Sequence, residues 1–310
     1  MEPIYNWISS AHRAQQQMEE KWQELKDTPE VRDLIRQYPD LPETTWKRAI
    51  LRLQQYVEER RHCACCPGLE QCPNLLAGYQ SEVTYLPPYL HLSYKKCLRL
   101  QGKEMEQRQT ALIRSHYVPE EIMTASFHTI ERDLPRLDAL NAVMEFCLSY
   151  EVGKRMPGLY LYGPLGVGKS RMMGAACRKL AERGIPSIMV YLPEFLREVK
   201  DAIQDGRVQQ KVEVLKQVPV LVLDDIGAET VSAWVRDEIL GTILQGRVNY
   251  GLPTLYTSNL NYDELEEHLS YSYKGGVEAM KAKRIMERIR HETRAYYVGG
   301  ENRRKSKWTS

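Results

Sequence analysis

The order of apolar and polar positions divides the chain into two regions with different periods. Up to about residue 60, hydrophobic side chains recur every three or four positions in a polar background. Residues 11–25, 28–37 and 44–61 therefore each predict a helix. Trp22, Leu34, Trp46, Ile50, Leu53 and Tyr56 fall on the apolar faces and are the expected core. Asp27-Thr-Pro and Pro39-Asp-Leu-Pro separate the helices. A run of Gln, Lys, Arg and Glu over residues 100–115 reads as a linker with some helical character. From about residue 130 helical stretches alternate with short apolar runs, the pattern of a parallel α/β sheet. The expected division is a small helical domain at 1–105, a linker at 106–130 and an α/β domain at 131–310.

Three of the predicted strands end in residues that carry chemistry. The strand Leu159-Tyr-Leu-Tyr runs into Gly163-Pro164-Leu-Gly166-Val167-Gly168-Lys169-Ser170, a fit to the phosphate-binding P-loop. Its glycines let successive N–H groups converge on one anion, and the helix opening at Gly168 adds its positive end. Lys169 can reach the β- and γ-phosphates of ATP, and Ser170 can ligate Mg²⁺. About fifty residues later, the wholly apolar Val218-Pro-Val-Leu-Val-Leu ends in Asp224-Asp225, as an interior parallel strand would at the ligand edge of its sheet. Asp224 suits the metal ion and Asp225 suits the attacking water. Residues 253–259 form a third strand, which brings Asn259 to the same edge. There it can bond that water or the γ-phosphate; the competing reading is an Asn that starts a turn.

Residues 278–290 predict a basic helix with an apolar stripe of Met280, Ile285, Met286 and Ile289. Arg284 and Arg288 lie four apart on one shared face. Such a run usually marks a solvated face, and it can also serve as a local nucleic-acid patch.

P-loop, Asp-Asp, Thr-Ser-Asn and late arginines, in that order, resemble an AAA+ ATPase. The strings over residues 159–170, 220–229 and 232–247 resemble more closely the bacterial replicative helicase loaders of the DnaC/DnaI type. That resemblance implies an AAA+ domain with its lid reduced or absent. It implies ATP-driven delivery of a hexameric replicative DNA helicase onto single-stranded DNA, with the loader associating with itself on the helicase ring. It makes Arg288 an arginine finger acting on a neighbouring subunit's ATP, and Arg303 or Arg304 the second sensor. Two other readings share the motifs: a nucleotide-gated adaptor that barely hydrolyses ATP, and a transposition-type AAA+ ATPase.

Composition narrows the setting. A net charge of +2 gives no global field for nucleic acid, so any DNA contact must be local. No apolar run reaches membrane-spanning length and no signal peptide opens the chain, so a cytoplasmic protein with reduced thiols is expected. Five of the seven cysteines fall at 63, 65, 66, 72 and 97. Cys63 and Cys66 have C-x₂-C spacing, and Cys72 can add a third thiolate to a tetrahedral zinc ion. The fourth ligand is open among Cys97, His91, Cys65 and His62, with Cys97 preferred because four thiolates close a structural site. Helicase loaders of the resembled type imply the same small zinc-bearing, helicase-binding domain. Cys147 and Cys177 sit in apolar helical surroundings and read as core.

Overall fold

The computed structural model describes residues 4–201, 207–229, 233–272 and 276–304. The chain separates into two compact units, one ending at Glu106 and the other beginning at Gln107.

The first unit is built from α1 (Ile4–Lys26), α2 (Pro29–Gln37), α3 (Glu43–Arg48) and α4 (Ile50–Ala64). An antiparallel hairpin, β1 (Tyr79–Leu86) and β2 (Tyr89–Lys96), follows. All six expected core residues are buried. The Trp22 and Trp46 rings stack at 6.3 Å, and the Trp22 indole donates to Glu43 at 2.9 Å, so burial leaves no unpaired N–H. The hairpin corrects the all-helical expectation. It closes the core with Val83 and Leu90, but the inward position Ser81 is polar and dilutes the two-residue alternation.

α5 (Leu98–Leu112) begins in the first unit and ends in the second. It leads directly into β3 (Ile113–His116), followed by α6 (Glu120–Met123). Residues 106–130, expected to be a linker, thus supply an edge strand. Four residues are too few to show a strand period.

The remaining elements alternate. They are α7 (Leu134–Ser149), β4 (Gly158–Tyr162), α8 (Lys169–Glu182), β5 (Ser187–Tyr191), α9 (Leu192–Asp201), α10 (Arg207–Gln217) and β6 (Val220–Asp224). A π-helical stretch (Val235–Leu240) continues into α11 (Gly241–Tyr250), then β7 (Thr254–Ser258) and α12 (Tyr262–Ser270). A two-residue ribbon, β8 (Tyr271–Ser272) with β9 (Gly276–Val277), precedes α13 (Ala279–Glu292) and β10 (Thr293–Tyr297). Six strands pair in parallel in the order β10-β4-β7-β6-β5-β3.

Alternation along β6 splits the core between the two sheet faces. Leu221 and Leu223 pack with α9–α13, whereas Val220 and Val222 pack with α7 and α8. Cys147 and Cys177 are fully buried on the second face. Met280 departs from the expected stripe: it is 70% exposed, and Ala282 takes the buried place beside Ile285, Met286 and Ile289. Among the described residues no helix is long and apolar enough to cross a membrane.

Candidate functional site

β4 lies between β10 and β7, so the sequence order of strands reverses around it, and its carboxyl end opens at such a switch point. The turn of Gly163, Pro164, Gly166, Val167 and Gly168 forms there. Gly168 caps α8 at φ 100°, in the left-handed region open to glycine. Gly166 is left-handed as well, at φ 80°, and an added Cβ there would stand 2.0 Å from the Asn302 amide oxygen and displace that side chain.

Lys169 is buried, and its ammonium donates to the Gly163 and Pro164 carbonyls at 2.7 and 2.8 Å and to Asn259 Oδ1 at 2.9 Å. Burial pushes it down to about 8, against the pull of Asp225 and Asp224. Asn259 donates in turn to Asp225 Oδ1 at 3.0 Å. The helix-capping role belongs to Asn261, which closes a capping box with Glu264. Asn259 is therefore not the residue that caps α12, and its amide joins Lys169 to Asp225.

Asp224 is buried and accepts from Thr257 Oγ1 at 2.6 Å and from the Ser170 hydroxyl. Burial raises its pKa above the usual carboxylate value, and the same cause raises that of Asp225. The backbone of Asp225 is left-handed, at φ 62°, with its N–H donated to Thr257 Oγ1 at 2.8 Å. Ser170 and Asp224 place hard oxygen donors side by side, the set that Mg²⁺ prefers.

The carboxyl-terminal segment lies over the turn. Val298 N–H donates to Tyr162 O, Gly299 N–H to Pro135 O and Arg303 N–H to Gly166 O. The Arg303 guanidinium pairs with Glu131 and Asp133. Asp133 also takes Arg136, a buried arginine that donates to the Val167 carbonyl at 3.3 Å. Arg304 differs from its neighbour, since its charge acts on Lys169 and Asp225. Arg288 is not brought to this site. It stands half-buried on α13 beside Gly241, in a groove of about 400 Å³ shared with Lys216 and Asn249.

Sequence reasoning missed Thr257, Arg136, Glu131, Asp133, Asn302 and Glu229. The available signals were a hydroxyl near the end of a buried strand and a lone arginine within an apolar helix.

Glu229 is buried behind the Asp225 turn, with one oxygen accepting from Gly227 N–H at 2.8 Å and the other without a partner. Burial first, and Asp225 to a lesser degree, raise it to about 7 from an ordinary 4.5. A folded-state pKa above the unfolded value stabilises fully below pH 4.5, and that contribution is lost as the pH rises through 7. Glu229→Gln keeps the acceptor without the charge. It is expected to be more stable than wild type at pH 8, by about 3 kcal/mol, with the gap closing towards pH 5. Thermal melts at the two pH values check this, and a gap that does not change with pH contradicts it.

The zinc expectation is not supported. Among the described residues no three His, Cys, Asp or Glu side chains are placed to hold a metal ion. Cys63 accepts from Asn74, Cys72 from Gly78 N–H and Cys97 from Leu100 N–H, each at 3.4 Å, bonds that leave the sulfurs with further lone pairs. Cys66 completes no group with them.

Comparison with known proteins agrees with this geometry. Residues 141–310 match the family model of IstB-like ATP-binding proteins, and residues 1–94 match that of the primosomal protein DnaI N-terminus. The replicative helicase loader DnaI of Bacillus subtilis (strain 168) is 35% identical over 98% of this chain and 99% of its own length. The chain belongs to the DnaI family. Among solved structures, DnaI superposes with a TM-score of 0.56 at 43% identity, over 63% of this chain and 99% of that one. The DnaC helicase loader superposes with a TM-score of 0.50 at 20% identity, over 58% of this chain and 100% of its own, a likeness of fold. The matched IstB-like model is one of ATP-binding proteins, and residues 141–310 include the P-loop edge.

Proposed function

We propose that this chain binds ATP with Mg²⁺, hydrolyses it, and uses the cycle to deliver a hexameric replicative DNA helicase onto single-stranded DNA. The observation that carries the reading is the match to a helicase loader over 98% of the chain, combined with a P-loop, Asp224, Asp225 and Asn259 assembled at one strand edge. The amino-terminal match to a primosomal family favours loading over transposition.

Each residue has a task that follows from its position. The P-loop N–H groups and the start of α8 bind the phosphates. Lys169 exchanges its carbonyl partners for phosphate oxygens. Ser170 and Asp224 would hold Mg²⁺, which when bound neutralises charge between the β- and γ-phosphates. Asp225 orients the attacking water, and Asn259 holds Asp225 and Lys169 in register. Arg304 is the second sensor, facing the carboxylates, while Arg303 fastens the carboxyl-terminal segment. Arg288 serves the ATP of a neighbouring copy. Free protein is mostly monomeric. The helicase, gripped by the first unit, gathers copies at high effective concentration. Lys281 and Arg290 are committed to ion pairs within the protein, so single-stranded DNA meets α13 at the exposed Lys283 and Arg284.

ATP turnover by the full chain, with and without a hexameric replicative helicase, tests the reading. Stimulation by the helicase is expected. Helicase binding with no turnover under either condition would replace the loader with a nucleotide-gated adaptor.

A further inference from the structure

Of the polar groups around the P-loop, one joins the Asp224 carboxylate to the Asp225 backbone and has no role in the scheme above. Thr257 lies within β7 at 1% exposure, one strand away from the aspartates. Its hydroxyl has a single proton, given to Asp224 Oδ1 at 2.6 Å. Its lone pair accepts the Asp225 N–H at 2.8 Å. We propose that Thr257 is a positioning residue for hydrolysis, its hydroxyl fixing the orientation of Asp224 and the backbone turn of Asp225 together; the proposal rests on the ATPase reading.

Two physical arguments support it. First, a buried carboxylate can rotate about its terminal torsion unless a donor holds it. The Thr257 proton holds one oxygen of Asp224 in place while Ser170 also bonds that carboxylate. The side chain is thereby presented towards the start of α8. Second, a left-handed residue with a Cβ is disfavoured by roughly 1–2 kcal/mol and persists where the surroundings over-determine it. Three bonds do so at Asp225. Its N–H goes to Thr257 Oγ1, the following Ile226 N–H goes to Thr257 O at 2.9 Å, and the Ser258 hydroxyl donates to Ile226 O at 2.6 Å. Of these only the first joins the Asp225 turn to Asp224, so losing the hydroxyl releases both acids at once and leaves the strand pairing intact.

The test compares Thr257→Val, which keeps the branched shape, with Thr257→Ser, which keeps the hydroxyl. Two quantities are read in the full-length protein: the kcat and KM for ATP, and the ATP affinity measured without turnover in the presence and absence of Mg²⁺. Thr257→Val is expected to lower kcat by about a hundredfold, the scale set by a misplaced catalytic group. Its KM stays within about threefold, because the P-loop is untouched. The tightening of ATP binding by Mg²⁺ shrinks, while affinity without Mg²⁺ is kept. Thr257→Ser restores both. A loss of packing alone would move none of these selectively. If Thr257→Val does not fold, Thr257→Cys, of similar volume and with a poor donor, is judged by the same criteria. A folded valine or cysteine variant with wild-type kcat and an unchanged Mg²⁺ effect overturns the proposal, as does a serine variant equally impaired. Wild type measured alongside separates the two claims: if it does not turn over ATP, the ATPase reading fails and the proposal fails with it.

Discussion

Lys169→Ala is expected to weaken ATP binding at least tenfold, the loss of one charge-assisted contact of about 1.5–3 kcal/mol. The structure adds a reason for the residue's precision. The ammonium is buried and held by three oxygens, two from the P-loop and one from Asn259 just past β7. Alanine also leaves those oxygens without their donor, so a modest loss of thermal stability accompanies the binding defect. A folded variant with wild-type ATP affinity would remove the assignment. Asp225→Asn separates binding from chemistry. It keeps ATP and loses turnover, because the amide cannot orient and polarise the water as a carboxylate does.

The second large effect concerns two chains acting together. Arg288→Ala is expected to bind ATP and helicase normally and to lose hydrolysis by a factor of about 10³ or more, the usual worth of an arginine finger. Its position away from the P-loop, beside Gly241 in a surface groove, is the geometric reason. Mixed on the helicase, Arg288→Ala and Asp225→Asn proteins each supply what the other lacks, so part of the activity returns. If the mixture stays as inactive as its components while both bind helicase, Arg288 does not act across an interface.

Much of the second unit was legible because its signals are local. A P-loop binds phosphate through consecutive backbone N–H groups, so its glycines and Lys169 must stand at fixed spacing along the chain. A buried parallel strand must be apolar throughout, which made Val220–Leu223 conspicuous and located Asp224 and Asp225 at its end. The contacts that join distant segments left no comparable trace. Arg303 meets Glu131 and Asp133 only because β10 returns alongside β4. Thr257 looked like any strand threonine until the register of β6 and β7 brought it to the aspartates. The hairpin of the first unit was hidden for a related reason. Its strands meet at Pro87-Pro88, which lacks the Asn-Gly type of signature that marks a two-residue turn. The cysteine cluster carries a pattern the fold does not complete: C-x₂-C spacing suggested a metal grip, and among the described residues no three His, Cys, Asp or Glu side chains are placed to hold one.

The shared carboxylate of Asp133 ties the two ends of the second unit together. Arg136 reaches from it to the floor of the phosphate loop, and Arg303 carries the segment whose Asn302 rests on Gly166. The ion pairs of Arg303 are partly exposed and therefore screened by salt. Ionic strength therefore acts on the hold of the carboxyl-terminal segment over the phosphate loop, at a point outside the strand-end carboxylates.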